Sequence, residues 1–447
     1  MSSTSALPTT GLWAGAVTAD LTPPSSTFLF GYPHVPRMST GVHDPLEAAV
    51  LYLREGDHAV IWVATDLIFV GRPQVREIRR QLHLRTGVPV HAIAITATHT
   101  HSGPVMVDCM SNEADPVVPK ADPVYLELVT RRIVEAGCAA ARAAVPAELG
   151  LAVADARGIG TNRHDPAGPA DPSVPVLLVR SRQPARVLAC MVAYAMHPTV
   201  LHEDSTLISG DFPFFTRQYL RQQGLVPAGC PVLYHNGASG NQSPRHVTKG
   251  NTFAEAQRLG ELLGAAIAAV VPKITFTSAP GLKARSTEVP LQTRTMPPVD
   301  VALEGARSAR ARFEGLQRDG AARTAVRTAE CDWFGAEETV ALAQAAADGR
   351  LQKAAAESSP AEIQVIEVGP WKFVHWPGEF FVEYALEVKA AVPQAFVVTL
   401  ANGELQGYIV TPEAVARGVY EAGNAVFAAA NGRRVVAATL DLLRATD

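Results

Sequence analysis

Cysteine is scarce in this chain of 447 residues, and its few occurrences follow no regular pattern. The five cysteines are odd in number and widely spaced, and no two of them form a CxxC pair. Such spacing suggests neither a thiolate zinc site nor a disulfide framework. The sequence therefore gives no indication of sulfur-based chemistry.

Long apolar runs and a charge excess of either sign are also absent. No apolar run approaches the roughly 20 residues that a membrane-spanning helix needs. The first ten residues are rich in Ser and Thr, and no basic segment precedes an apolar run, which predicts that there is no signal peptide. The net charge of −4 gives no indication of a nucleic-acid partner or an anionic membrane surface. We therefore expect a soluble, cytoplasmic protein without a membrane span.

The residues that are present favour a globular enzyme-sized fold. Hydrophobic residues make up 47% of the chain and charged residues 18%, a composition typical of proteins with a packed core. Strand-like and helix-like segments alternate throughout, and neither an internal repeat nor a low-complexity linker interrupts them. This mixture predicts an α/β fold, a mixed α+β layered catalytic domain, with residues 1–447 forming a single domain.

Two segments near the C-terminal half have a less obvious pattern. Residues 298–352 are rich in Ala and Arg and are predicted to be mostly helical, with the six arginines between Arg307 and Arg327 on a solvated face. The tail from Arg434 to Leu443 resembles a strand. Neither segment indicates a nucleic-acid site.

A pair of histidines follows the most apolar segment of the chain. Residues 91–98 read as a buried strand, and Gly103 with Pro104 breaks it. If strand alternation continues, His99 and His101 point to the same face. One imidazole can then bind a metal while the other handles a proton. The alternative is a pair of ordinary polar residues at the end of a strand.

Other polar residues also follow predicted strands. They are His99, His101, Asn162, Arg163, His197, Asp211, Ser243, Glu379 and Tyr408. Two or three histidines with one carboxylate are typical of a catalytic zinc site, in which one position remains for water. The sequence contains no HExxH, GxGxxG or Walker A motif. Residues 237–240 lack the final Gly of the GxSxG elbow, so a mononuclear metal hydrolase is favoured over a serine hydrolase.

Several segments, taken in order, resemble the neutral/alkaline ceramidase family, whose members hydrolyse the amide of N-acylsphingosines. The most specific is Thr98-His99-Thr100-His101-Ser102-Gly103-Pro104. The others are Gly41-Val42-His43-Asp44-Pro45-Leu46, Asn162-Arg163, Met196-His197-Pro198-Thr199, Trp376-Pro377-Gly378-Glu379, and Gly407-Tyr408-Ile409-Val410-Thr411-Pro412-Glu413 followed by Tyr420-Glu421. Residues 240–245 resemble the family's Gly-Asp-Val-Ser-Pro-Asn loop, from which Asn241, Gln242 and Arg245 depart.

The resemblance implies a role for each matching residue. The zinc ligands would be His99, His197, Glu379 and Tyr408, a set that spacing alone does not suggest because a phenol ligand is unusual. His101 would handle protons, while Arg163 and Tyr420 would polarise the substrate carbonyl and stabilise the oxyanion. Ser243 would be either a direct nucleophile or a hydrogen-bonding group. Zinc-activated water is the preferred nucleophile, because the metal supplies it without a serine.

The departures from the family shape the expected substrate. The family's ceramidases carry an additional C-terminal β-sandwich domain, whereas this sequence ends soon after Tyr420, so a short cytoplasmic relative is expected. Its substrate would be a lipid or small-molecule amide, either ceramide or something smaller and more polar. Three loops are expected to set that choice, at residues 23–39, 105–122 and 198–209.

Two other functions stay open at this point. The same centre would also serve a metal-dependent esterase or lactonase, and a non-catalytic relative could bind lipid with the same fold. The His and carboxylate set favours zinc, although Mn²⁺ or Fe²⁺ uses similar ligands.

Overall fold

The computed structural model of the chain describes residues 11–445, and the predicted absence of a signal peptide concerns residues outside this range. The strands are β1 Leu12–Asp20, β2 Gly41–Val42, β3 Glu47–Glu55, β4 His58–Thr65, β5 Ile93–Ala97, β6 Val145–Asp155, β7 Thr161–Asn162, β8 Ser173–Ser181, β9 Val187–Tyr194, β10 Leu207–Ile208, β11 Val232–Asn236, β12 Gln242–Ser243, β13 Leu282–Val289, β14 Ala361–Val368, β15 Trp371–His375, β16 Glu379–Phe380, β17 Ala395–Val398 and β18 Tyr408–Ile409. The helices are α1 Arg72–Thr86, α2 Pro123–Arg142, α3 Phe212–Gln222, α4 Phe253–Ala268, α5 Val299–Arg318, α6 Arg323–Ala347, α7 Arg350–Ser358, α8 Val382–Ala391, α9 Pro412–Arg417, α10 Tyr420–Asn424 and α11 Ala430–Arg444.

Eight strands form the larger of two main sheets, in the order β11-β9-β8-β6-β1-β3-β4-β5. The interior pairs are antiparallel, whereas β5 and β11 at the two edges pair in parallel with β4 and β9. Both edge strands run directly into polar segments, at residues 98–104 and 237–245. The parallel edges therefore carry two of the segments that contribute to the site.

The second main sheet has four strands, in the order β13-β14-β15-β17, and packs against the larger one. Trp62 of β4 and Phe373 of β15 meet between the sheets with ring centroids 5.8 Å apart, and both side chains are buried. The Trp62 indole donates a hydrogen bond to Nε2 of His375, at 3.2 Å. These contacts make a continuous core between two layers of strands.

Helices cover the outer faces of both sheets. Side chains of α1 and α2 share a core with β1, β3 and β4, those of α3 and α4 pack on β8, β9 and β11, and those of α8 and α11 pack on the smaller sheet. This layered arrangement of helices and strands confirms the predicted α/β fold. No helix among residues 11–445 is both long enough and apolar enough to cross a membrane.

The predicted strand over residues 434–443 is wrong, since this segment lies in helix α11. The buried residues are Val435, Val436, Thr439 and Leu443, whose spacing is that of one helical face. The β-branched residues of the segment favour a strand locally, but packing of this face against the smaller sheet decides the structure.

The prediction of helices in the arginine-rich segment 298–352 is correct. The prediction that all its arginines from Arg307 to Arg327 lie on a solvated face is incomplete. Helices α5, α6 and α7 occupy the segment. Arg307, Arg310, Arg312 and Arg318 lie on exposed or partly exposed positions, as a solvated face requires. Arg327 instead pairs with Glu203 on a distant loop, with an Nη1–Oε1 distance of 3.2 Å.

Helix α2 approaches β1 so closely that there is no room for a side chain at Gly15. A Cβ atom at Gly15 would collide with the backbone carbonyl of Ala140. We expect Gly15→Ala to lower the free energy of unfolding by about 1–3 kcal/mol, the usual cost of overpacking. Chemical unfolding of the purified protein measures the change.

The matched control is Gly305→Ala on the exposed surface of α5, where a Cβ meets nothing within 4 Å. This substitution should raise stability by about 0.5–1 kcal/mol, because Ala restricts the unfolded chain and favours a helix. Equal effects of the two substitutions would contradict the close approach of α2 to β1.

Candidate active site

His99 lies two residues beyond the end of β5 and has a left-handed backbone, with φ of 73°. Its backbone N–H donates to the carbonyl of Leu67 at 2.9 Å. A positive φ is uncommon outside glycine and is kept where the surrounding structure requires it. The strand alternation used to predict a shared face therefore does not extend to His99, and this turn sets the direction of its side chain instead.

Three imidazoles nevertheless converge. The Nε2 atoms of His99 and His101 are 3.3 Å apart, and the rings of His99 and His197 have centroids 4.7 Å apart. One nitrogen from each of His99, His101 and His197 lies within 4.8 Å of the others, so these three side chains could hold a metal ion. Two segments remote in sequence, one after β5 and one after β9, thus place their histidines at one point.

Backbone carbonyls fix the orientation of two of the imidazoles. His99 Nδ1 is 2.9 Å from the carbonyl oxygen of Ile68, and His197 Nδ1 is 2.7 Å from that of Ser239. A carbonyl only accepts hydrogen bonds, so each Nδ1 carries the proton. Each ring then directs its Nε2 atom to the centre, as metal-binding histidines commonly do.

Glu379 supplies a buried carboxylate to the same centre. Its Oε2 atom is 2.9 Å from His197 Nε2 and 3.3 Å from His99 Nε2. Burial would raise the pKa of this carboxyl, but the two imidazoles outweigh burial and hold the pKa well below its usual value. Glu379 is therefore ionised, as a metal ligand must be.

Tyr408 is placed beside Glu379 by a short parallel pair of strands, β16 and β18, in which the two residues are direct partners. The ring of Tyr408 lies 6.4 Å from that of His197, measured between centroids. Burial raises the pKa of the phenol well above its usual value. The structure thus brings this tyrosine to the histidine cluster.

His101 differs from the other two histidines in its contacts. Its Nδ1 is buried and has no hydrogen-bond partner among residues 11–445. Burial, followed by the neighbouring His99 and His197, lowers the pKa of His101 well below its usual value. The side chain also lines a cavity of about 490 Å³, so it lies between the cluster and the space open to a substrate.

Arg163 is held by a buried ionic triad. Its Nε donates to Glu421 Oε1 at 2.5 Å, and His164 Nε2 is 2.8 Å from Glu421 Oε2. Burial opposes the charge on Glu421, but Arg163 and then His164 lower the pKa of the carboxyl to about 2. The guanidinium lies over two aromatic rings, 5.4 Å from the centroid of Tyr408 and 5.9 Å from that of Tyr420.

Six of the eight predicted site residues line one cavity of about 490 Å³. Its lining includes His101, Arg163, His197, Ser243, Tyr408 and Tyr420. A smaller space of about 60 Å³ has His99, His101, Glu379, Tyr408 and Tyr420 in its own lining. The histidine cluster therefore lies where the two spaces meet.

Ser243 lies on β12, which pairs with β7 and so brings Ser243 opposite Thr161, two residues before Arg163. Among the described residues its hydroxyl has one hydrogen bond, accepted from the backbone N–H of Arg245 at 3.3 Å. No histidine or carboxylate in residues 11–445 is within hydrogen-bond distance of this hydroxyl.

Two other strand-end residues, Asp211 and Asn162, have structural contacts. Asp211 caps α3, and the side chain of Asn162 forms hydrogen bonds within its own loop.

The loops expected to set substrate choice are divided between the two spaces. The first and third contribute Gly31, Tyr32, Pro33, Thr199, His202 and Glu203 to the larger cavity. The second contributes Cys109, Ser111 and Asn112 to the smaller one.

Two solved structures are similar to this chain over almost its whole length. A ceramidase complexed with C2 superposes with a TM-score of 0.73 at 16% sequence identity, covering 97% of this chain and 74% of that one. A neutral ceramidase from Pseudomonas aeruginosa gives a TM-score of 0.72 at 17% identity, with the same coverage. The chain has the fold of the neutral ceramidases.

A scan of protein-family models and a search of curated proteins find no match to the chain. The likeness to the ceramidases is therefore one of fold, carried by the path of the backbone. The site is described by its own geometry.

Sequence reasoning missed the partners that surround the predicted residues. Glu421 holds Arg163, Glu203 holds Arg327, and Arg245 lines the cavity without any such partner. These contacts join residues far apart in sequence, so no spacing or periodicity could reveal them. The adjacent pair Tyr420-Glu421 was the only available signal for Glu421.

We expect Glu421→Gln to lower the free energy of unfolding by on the order of 3 kcal/mol at pH 7, because it leaves the buried Arg163 without its counter-charge. The pKa of Glu421 is lowered from 4.5 to about 2. Its contribution to stability is therefore complete above about pH 4.5 and is lost as the pH falls towards about 2. Denaturant unfolding at pH 7 and pH 3 measures both effects.

The matched control is Glu127→Gln, on the exposed surface of α2, where Glu127 forms no ion pair with any of residues 11–445. This control should change stability by no more than about 0.5 kcal/mol at either pH. A Glu421 variant that equals wild type at pH 7 would show that the buried triad is not stabilising.

Proposed function

We propose that this protein is a metal-dependent hydrolase that cleaves an amide bond, with zinc as its metal. The observation that carries the proposal is the convergence of the buried His99, His197 and Glu379 with the partly buried His101 at one end of a substrate-sized cavity. The same fold in two solved ceramidases supports the amide as the bond attacked.

The side chains fit a zinc ion in their chemistry. Imidazole nitrogens and carboxylate oxygens are its usual ligands. His99 and His197 have their Nδ1 atoms occupied by backbone carbonyls, which leaves Nε2 for a metal. We assign His99, His197, Glu379 and Tyr408 as ligands. His101, which faces the cavity and keeps an unpartnered Nδ1, is left for proton transfer.

A zinc ion at this centre would polarise a carbonyl oxygen and lower the pKa of a water molecule to about 7. The chain itself provides the other groups. Arg163 has a buried Nη2 without a partner among the described residues, which makes it a free donor for the substrate carbonyl oxygen. Tyr420 lines the same cavity, and burial raises the pKa of its phenol well above the usual value, so it donates as a neutral hydroxyl.

Cleavage of an amide also requires a proton for the departing amine. His101 lies between the cluster and the cavity, at 3.3 Å from His99, and can carry that proton from the attacking water to the nitrogen. An ester needs this proton less, because an alkoxide is a better leaving group than an amide anion. Comparing amides with matching esters therefore distinguishes an amidase from an esterase on this centre.

We expect purified wild type to contain about one zinc per chain and His197→Ala to contain almost none, because a ligand is lost. His101→Gln should keep its zinc and lose amide cleavage by about 100-fold or more, as expected for a general acid–base residue. Elemental analysis and hydrolysis of an N-acyl amide panel that includes ceramide measure both properties.

His58→Ala is the matched control, since His58 is exposed at the start of β4 and away from the site. Loss of zinc in His101→Gln would show that His101 is a ligand, in place of its assigned role. Full activity of a zinc-free His197→Ala would refute the metal proposal altogether.

Ser243→Ala tests the remaining choice of nucleophile. We expect this variant to keep its zinc and to retain activity lowered by about tenfold, the effect of losing one hydrogen bond. Steady-state kinetics on the best amide measure the change. A fall to the level of the uncatalysed reaction, with zinc still bound, would instead identify Ser243 as the nucleophile.

A further inference from the structure

The cavity above the metal centre is lined mainly by polar and charged side chains. Four arginines line it, Arg163, Arg245, Arg323 and Arg327, against two carboxylates, Glu203 and Glu330. Of the Val, Leu, Ile and Met residues among residues 11–445, Val326 alone belongs to this lining. A pocket built to bury long alkyl chains would present aliphatic surface instead.

The adjoining space is too small for such chains. Its lining is mixed, with Phe30, Ile68 and Phe69 beside polar side chains, and it measures about 60 Å³, the room of only a few water molecules. It accommodates only a short group next to the histidine cluster. The two spaces together therefore favour a substrate that is short on one side and polar on the other.

The arginines differ in how their charge is balanced. Arg163 is paired with Glu421, and Arg327 is paired with both Glu203 and Glu330. These two cations are thus neutralised within the protein, and both carboxylates of the lining are used on Arg327.

Arg245 and Arg323 have no carboxylate within 4.0 Å in the described part of the chain. Arg245 is half-buried, and its contacts are the carbonyl of Arg163 and the sulfur of Cys331, each at 3.5 Å. Arg323 is exposed and donates to the amide oxygen of Asn251. A guanidinium has five donors in a fork that fits a carboxylate, so most of this binding capacity is free.

Three of the arginines influence the same side chain of the cavity lining. His202 belongs to the lining, and its pKa is lowered to about 3, first by burial and then by Arg327, Arg323 and Arg245. The three arginines therefore act on one region of the cavity. Arg245 is also one of the positions at which residues 240–245 depart from the ceramidase pattern that they resemble.

We infer that the substrate is a short N-acyl amide that carries a carboxylate, which Arg245 and Arg323 bind within the cavity. This inference rests on the proposed amidase function and specifies its substrate class. The acyl amide is cleaved at the proposed metal centre, and the carboxylate is recognised by Arg245 and Arg323 through charge-assisted hydrogen bonds. A neutral, two-chain lipid such as ceramide would leave both guanidinium groups unused.

The experiment compares N-butanoylglycine with N-butanoylglycinamide, which differ only in the carboxylate, on the zinc-loaded enzyme. We expect kcat/KM to favour the glycine conjugate by about tenfold or more, the size of one charge-assisted hydrogen bond. In Arg245→Gln this ratio should fall towards about one, and in Arg245→Lys part of it should remain. High salt should reduce the ratio in wild type, because it screens the attraction.

Arg323→Gln provides a second variant at an exposed position, in case Arg245→Gln folds poorly, and Arg131→Gln on the exposed face of α2 is the control. The control should keep the wild-type ratio. A ratio near one in wild type, or an unchanged ratio in both folded cavity variants, would overturn the inference. An N-butanoyltaurine arm shows whether the site accepts any anion or selects the planar carboxylate.

Failure of the amidase proposal would give a different result. If the enzyme cleaves neither amide, calorimetry with the same two compounds still measures recognition of the carboxylate. Tighter binding of the glycine conjugate, lost in Arg245→Gln, would support the anion site without amidase activity. Equal binding of the two compounds would refute it.

Discussion

Hydrogen bonds between two imidazoles and two backbone carbonyls determine the arrangement of the whole centre. The carbonyls of Ile68 and Ser239 fix the protonated nitrogens of His99 and His197, so that both Nε2 atoms point to Glu379. These carbonyls belong to backbone that leads away from different strands. The relative position of the strands therefore fixes the position of the ring nitrogens.

Around this centre the protein distributes charge in two ways. Deep in the structure Arg163 has its own carboxylate, Glu421, because an unpaired buried charge costs several kcal/mol. Towards the cavity this compensation is incomplete at Arg245, which is only half-buried. The lack of a carboxylate partner therefore distinguishes Arg245 from the paired Arg163.

Local sequence patterns predicted most of the layered fold, since the core strands and the major helices have clear apolar periodicity. The tail at Val435 and Val436 was mistaken for a strand, because local β-propensity was given more weight than its helical spacing. The closeness of His99 and His101 was expected from strand alternation, yet it arises from a left-handed residue after the strand has ended. A positive φ cannot be predicted from the sequence at a position such as this one, where the residue is not glycine.

The site could be predicted only as far as a family resemblance reached. Resemblance pointed to Glu379 and Tyr408, which the structure makes strand partners, although nothing in their spacing indicates that pairing. The ionic partners of the arginines come from remote loops and helices, and tertiary contact alone brings them together. Electrostatic complementarity of this kind is a property of the folded chain, so it was not accessible from residue patterns.

Strands β13 and β14 are direct antiparallel partners along their full length, although three helices separate them in the chain. The segment from α5 to α7 therefore connects two neighbouring strands of the sheet. Its length can vary without shifting the register of either strand. It contributes Arg323 and Arg327 to the cavity and no residue to the histidine cluster. In evolutionary terms, selection can remodel what enters this cavity independently of the scaffold that performs the chemistry.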